Sequence, residues 1–168
     1  VECHHTLENP RREEYVIVTG CTSGLGKSLA LKLARNKFNL ILIARNETAL
    51  ANLENEIKQK YSDIKIIKLI YDFNNTEKSE KENFYQSFNK IMLNDDIIIK
   101  MLINNVGIAN DITNEFDNYS IDDDIQLIDV NLKSMVEMTK LVLLKMKKAK
   151  YGTVINVSSG SAYNPSPY

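Results

Sequence analysis

Short runs of β-branched and aliphatic residues alternate with longer stretches of helical periodicity, and this alternation narrows the possible folds more than any other feature of the chain. Residues 15–19 (YVIVT), 39–44 (NLILIA), 64–71 (IKIIKLIY), 99–104 (IKMLIN) and 153–157 (TVINV) read as strands buried on both faces. Between them Leu25, Leu29 and Leu33 recur every fourth residue, Leu50, Leu53 and Ile57 follow a helical spacing, and so do Phe84, Phe88 and Ile91. Strand and helix in steady alternation require right-handed crossovers, hence an α/β fold with a doubly wound parallel sheet and helices on both faces.

Composition limits what such a sheet belongs to. The chain has 168 residues, of which 43% are hydrophobic and 26% charged, which suits one domain with a sizeable core. No repeat or Gly/Ser linker divides it, so residues 1–14 are read as an N-terminal tail and 15–168 as a single domain. A net charge of -1 with dispersed Lys and Arg gives no one-sided basic surface and sets nucleic acid aside as a partner. The longest apolar run, residues 40–44, falls far short of the roughly 20 residues of a membrane span. Two cysteines, Cys3 and Cys21, fit a reducing, intracellular setting. Both histidines, His4 and His5, sit beside Cys3 in the tail, where fraying is the reading adopted over a metal site, and no metal is expected.

The stretch GCTSGLGKS at residues 20–28 follows the first strand and opens the first helix. A nucleotide-hydrolysing P-loop needs four residues between its glycines so that its lysine reaches the phosphates. Gly20 and Gly26 are one residue too far apart, and the position where the loop would need glycine holds Cys21. A dinucleotide loop fits without adjustment: Gly20 makes the tight turn, Gly24 admits a pyrophosphate to the backbone, and Gly26 lets helix and strand approach closely. Thr22, Ser23 and Leu25 complete this candidate cofactor loop, and the helix N-terminus offers its positive dipole end.

The spacing Thr19-Gly20-x-x-x-Gly24-x-Gly26 resembles the short-chain dehydrogenase/reductase family, and further matches follow in the family's order. Asp72-Phe73 closes the third strand, where the family places an Asp near the adenine; Asn104-Asn105-Val106-Gly107 ends the fourth, like the family's NNAG segment. Asn131 stands in the long helix like the catalytic Asn, and Ser159, after the fifth strand, matches the Ser that hydrogen-bonds the reacting carbonyl oxygen. The resemblance implies a Rossmann-type domain. NNVG, the segment 138–146 and the Ser-Gly-Ser run with Pro165 and Pro167 look most like the branch of very-long-chain 3-oxoacyl-CoA reductases and 17-beta-hydroxysteroid dehydrogenases. That branch implies a small-molecule carbonyl substrate, a long acyl thioester or a ketosteroid, and a place in the cytoplasm or on the cytoplasmic face of the endoplasmic reticulum.

Cofactor preference is argued from the end of the second strand. NAD enzymes carry a carboxylate there for the ribose 2′-hydroxyl; here Ala44 is followed by Arg45, whose planar donor fork suits a 2′-phosphate, so NADP is expected. In the family a Tyr-x-x-x-Lys pair carries the proton transfer, and the family's spacing from Ser159 would put that tyrosine beyond Tyr168, so that the domain is truncated at its C-terminal end relative to the family. The one pair of this spacing, Tyr61 and Lys65, is out of order and read as a decoy. Two functions are therefore carried: an NADPH-dependent carbonyl reductase, and a noncatalytic remnant that binds nucleotide or a partner. The helix expected over 125–148 shows an apolar stripe of Leu132, Met135, Val136, Leu143 and Met146, which seeks either a second copy in a homodimer or cover from a C-terminal helix.

Overall fold

The computed structural model describes residues 13–74, 77–110 and 115–160. Its strands are β1 (Glu13–Thr19), β2 (Asn39–Ala44), β3 (Ile66–Ile70), β4 (Ile97–Asn104) and β5 (Thr153–Asn156). Its helices are α1 (Gly24–Arg35), α2 (Glu47–Lys60), α3 (Lys78–Leu93), α4 (Ile121–Ile128) and α5 (Ser134–Ala149), with a 3-10 turn at Phe116–Asn118 and a π turn at Asp129–Lys133 between α4 and α5. The strands form one sheet in the order β3-β2-β1-β4-β5, every pairing parallel. The order reverses between β1 and β4, and at such a switch point the loops leaving the strand ends part and open a crevice.

Alternation along the strands sends side chains to two cores. Ile17, Ile41, Ile43 and Leu102 pack with Phe84 and Phe88 of α3 and Met138, Val142 and Met146 of α5. Val16, Val18, Leu40 and Leu42 pack with Ala30 and Ala34 of α1 and Leu50, Leu53 and Ile57 of α2. Lys100 is an extra residue in β4 where its register with β1 shifts, and its ammonium pairs with Glu14. That bulge reverses the phase of β4, so Ile99 and Leu102 reach the same core despite their odd spacing.

Several expectations are corrected in detail. β1 begins at Glu13 and β4 at Ile97, because backbone pairing between them extends past the apolar run. β3 is trimmed to Ile66–Ile70, an edge strand paired on one side alone among the described residues and half-buried, and β5 ends at Asn156 and is largely exposed, so neither is buried on both faces. α1 faces the sheet with Gly26, Ala30 and Ala34, while Leu25 is exposed and Leu29 and Leu33 only flank the core. The small residues let the helix lie closer to the sheet than a leucine face would. The long helix begins at Ile121 and is broken by the π turn; Val130, Ser134, Met138, Val142 and Met146 face inward, and Leu132, Val136 and Leu143 of the expected stripe are exposed.

Candidate functional site

A cleft of about 340 Å³ opens at the carboxyl ends of β1, β2, β3 and β4, and eleven of the twelve candidate cofactor residues line it. Gly20, Thr22, Ser23, Gly24, Leu25 and Gly26 form one wall, Arg45 the next, Asp72 and Phe73 the third, and Asn105 and Gly107 the fourth. Tyr71, Asn74, Val106, Ile108, Gln126 and Val130 also line the cleft. Of these, Gln126 and Val130 carried a sequence signal: they stand one helical turn apart, just before Asn131.

The glycine wall is set by close approach. A β-carbon on Gly20, whose φ is +63°, would come within 2.8 Å of the Val106 backbone, and one on Gly26 would overlap the Gly20 carbonyl and the Asn105 amide. At Gly24, with φ of +50°, a β-carbon meets nothing within 4 Å and would project into open space. The Ser23 side chain does not cap α1, so the first-turn amides are left for another acceptor.

Thr19 joins the two loops that flank the cleft. Its Oγ1 accepts from the backbone N–H of Asn105 and of Val106, each at 3.0 Å, and donates to the Ile103 carbonyl at 3.4 Å. In return the Asn105 carboxamide donates to the carbonyls of Thr19 and Gly20, both at 3.0 Å. Asn105 therefore lines the cleft with its donors already engaged in holding the glycine loop. Cys21, behind that loop, is fully buried, and desolvation pushes its thiol up to about 12.

The remaining candidates lie apart. Asn104 does not line the cleft: it is buried, and its amide donates to Thr139 Oγ1 at 3.2 Å and Asn156 Oδ1 at 2.9 Å, tying β4 to α5 and β5. As the last residue of β4 its side chain turns into the sheet, whereas that of Asn105 turns to the loop. Asn131 sits in the π turn, where its Oδ1 accepts from Ile108 N at 2.7 Å and its Nδ2 donates to Ile108 O at 2.9 Å. A β-carbon on Gly107 would lie 3.3 Å from that Oδ1. Ser159 is exposed three residues beyond β5 and off the cleft.

Two motif readings resolve in space. Lys27 reaches Glu56 of α2 at 2.9 Å and does not line the cleft, unlike a phosphate-binding lysine. Tyr61 and Lys65 lie at the opposite end of the sheet, ahead of β3, with Lys65 paired to Glu13. Cys3, His4, His5, Tyr163, Pro165, Pro167 and Tyr168 lie outside the described residues. Among the described residues no group of His, Cys, Asp and Glu could hold a metal ion, and no helix is long and apolar enough to cross a membrane.

A parallel sheet of this order, with a glycine loop at its switch point, defines a Rossmann-type dinucleotide fold. The short chain dehydrogenase family model matches residues 14–168, and the protein belongs to that family. It is 31% identical over 91% of its length to a very-long-chain 3-oxoacyl-CoA reductase of Aspergillus oryzae, covering 42% of that protein. The human very-long-chain 3-oxoacyl-CoA reductase is 33% identical over 94% of this chain, which covers 48% of it. The chain thus spans under half the length of these two curated relatives. Among solved structures, the closed form of serine dehydrogenase complexed with NADP+ superimposes with a TM-score of 0.73 at 26% identity, over 90% of this chain and 56% of that one.

Proposed function

We propose that this chain is the dinucleotide-binding part of a short-chain reductase that uses NADP to reduce the ketone of a long 3-oxoacyl thioester or a ketosteroid. The observation that carries the reading is the cleft itself, where an open glycine loop at a helix N-terminus and an arginine at the end of β2 face one cavity. The residues fit a dinucleotide: the space beside Gly24 is clear, and among the described residues no carboxylate pairs with Arg45. The cofactor, when bound, supplies hydride. The α1 amides and the loop from Gly20 to Gly26 would hold the pyrophosphate, Arg45 the 2′-phosphate, and Asp72 and Phe73 the adenine side. Asn104, in this reading, supports the site from within the sheet. Asn131 fixes the turn at Gly107 and Ile108, and Ser159 would donate to the carbonyl oxygen of the substrate.

The substrate class is supported by the names of the relatives at 31% and 33% identity. The proposed location, the cytoplasm or the cytoplasmic face of the endoplasmic reticulum, follows the same likeness. A homodimer through α4 and α5 is part of the reading. Ile121, Ile125, Ile128, Leu132 and Val136 form an exposed apolar stripe that runs along α4, the π turn and the first turn of α5. Two copies packed antiparallel about the middle of this stripe would cover it.

Titration with NADPH and NADH, followed by nicotinamide fluorescence, tests the cofactor assignment. Arg45→Ala should weaken NADPH by about ten- to a hundredfold, the loss of a charge-assisted pair of about 1.4–3 kcal/mol, and leave NADH nearly unchanged. Equal losses for both would sink the 2′-phosphate role. The second reading, a domain that binds nucleotide without turnover, is favoured by the exposed position of Ser159 off the cleft. Bound NADPH that is not consumed with a long-chain 3-oxoacyl-CoA would select it.

A further inference from the structure

A polar cluster that no step above uses lies behind the third wall of the cleft. Lys81, in the first turn of α3, donates to Glu137 Oε1 of α5 at 2.7 Å and lies 5.6 Å from the centroid of the Tyr85 ring. The same carboxylate acts on the Tyr85 hydroxyl, whose ring lies under the Lys81 ammonium. Asp129, in the π turn, is paired with Lys133 at 2.9 Å, so Glu137 is the carboxylate that Lys81 engages. Hydrogen bonding to Glu137 raises the Lys81 ammonium, and burial raises the Tyr85 hydroxyl, so both stay protonated donors at neutral pH.

Phe84, on α3 between these two residues in sequence, is buried against the aromatic residues of the cleft wall. Its ring stacks on Tyr71 at 4.0 Å and 11° and meets Phe73 edge-on at 6.3 Å, and Tyr71 and Phe73 flank Asp72 in the cleft wall. β3 is a five-residue edge strand that holds this wall from one side only. The far end of α3 is fixed separately, where Lys145 donates to the carbonyls of Met92 and Asn94 and Lys148 pairs with Asp95. Side-chain bonds to α5 thus secure α3 at both ends, and only the Lys81 end adjoins the cleft.

We infer that Lys81 and Glu137 are positioning residues of the nucleotide site, holding α3 so that Phe84 seats Tyr71 and Phe73 as the wall for the adenine half of the cofactor. The inference rests on the dinucleotide reading above and extends it to residues outside the cleft. It makes adenine-side affinity depend on a helix pair rather than on β3 alone.

The experiment measures dissociation constants for NADPH and for its 2′-phospho-ADP-ribose fragment, with a thermal midpoint for each protein. It compares the unmodified protein with Lys81→Met, Glu137→Gln, the charge swap K81E/E137K, and Lys145→Met as a control at the far end of the same helix pair. Lys81→Met and Glu137→Gln should each weaken NADPH and the fragment alike by about five- to tenfold, and the swap should recover affinity to within about twofold. Lys145→Met should lower the midpoint and leave both constants unchanged. Unchanged constants in folded Lys81→Met and Glu137→Gln would overturn the inference, as would a loss for Lys145→Met equal to theirs, which would mark a general effect of stability. If the single variants do not fold, the swap decides: wild-type affinity supports the pairing and weakened affinity refutes it. An unmodified protein that binds no dinucleotide would overturn the proposed function and this inference together, whereas binding that ignores the variants would overturn only this one.

Discussion

Adding one methyl group at Gly26 or at Gly24 should injure the protein in two different ways. At Gly26 an added β-carbon would lie under 3.0 Å from the Gly20 carbonyl oxygen and from the Asn105 amide, one of them backbone and the other committed to two bonds. Helical alanine is intrinsically better than glycine by about 1 kcal/mol. Against that gain stand overpacking of about 1–3 kcal/mol and strain on two hydrogen bonds of about 1 kcal/mol each. The net cost of Gly26→Ala is about 2–4 kcal/mol, which for a domain of this size lowers the thermal midpoint by about 4–16 °C. Gly24→Ala meets no atom, so its cost is the left-handed conformation at φ of +50°, about 1–2 kcal/mol. Its methyl group projects into the space assigned to the pyrophosphate, so NADPH affinity should fall more steeply than stability. Thermal melts with and without saturating NADPH separate the two: a large drop in the midpoint for Gly26→Ala, and for Gly24→Ala a small drop with most ligand stabilisation lost. A Gly26→Ala protein as stable as the parent, or a Gly24→Ala protein with unchanged affinity, would refute the assignment of close packing to one glycine and ligand approach to the other.

Two further outcomes test other parts of the structure. Replacing Leu132 and Val136 by Glu places charge at the α5 end of the exposed stripe, and a dimer seen by sedimentation should become a monomer; a variant that still dimerises would move the interface elsewhere. In a Cys3→Ser background, Cys21 should resist maleimide at pH 8 and react at once in denaturant, since its thiol is pushed up to about 12 by burial and only the thiolate attacks; rapid native labelling would show that the loop opens.

Much of the fold was legible because short β-branched runs such as 39–44 and 99–104 alternate with longer helical patterns, which reads as interior parallel strands, and the glycine loop after β1 marks the end that carries the cleft. The helix faces were less legible, for a physical reason. Periodicity weighs large apolar side chains, whereas α1 meets the sheet through Gly26, Ala30 and Ala34, whose value lies in being small. In the long helix the leucines and valines at 132, 136 and 143 are the exposed face, and the inward positions include Ser134, which satisfies itself by donating to the Val130 carbonyl. Asn104 and Asn105 are identical in sequence, and only the end of β4 between them decides that one turns into the sheet and the other to the loop. The π turn at Asn131 had no sequence mark, since one extra residue in a helical ladder alters no composition.

The junction between Thr19 and Asn105 also carries a message about time. It joins residues 86 positions apart, and neither glycine wall nor Gly107 turn is held until β4 has docked beside β1. A polypeptide emerging from the ribosome can pair β1, β2 and β3 early, since those contacts are near in sequence, yet it presents only half a cleft. Nucleotide would therefore meet only the glycine and Arg45 walls until residues past Val106 are free, and its full binding would favour the finished sheet.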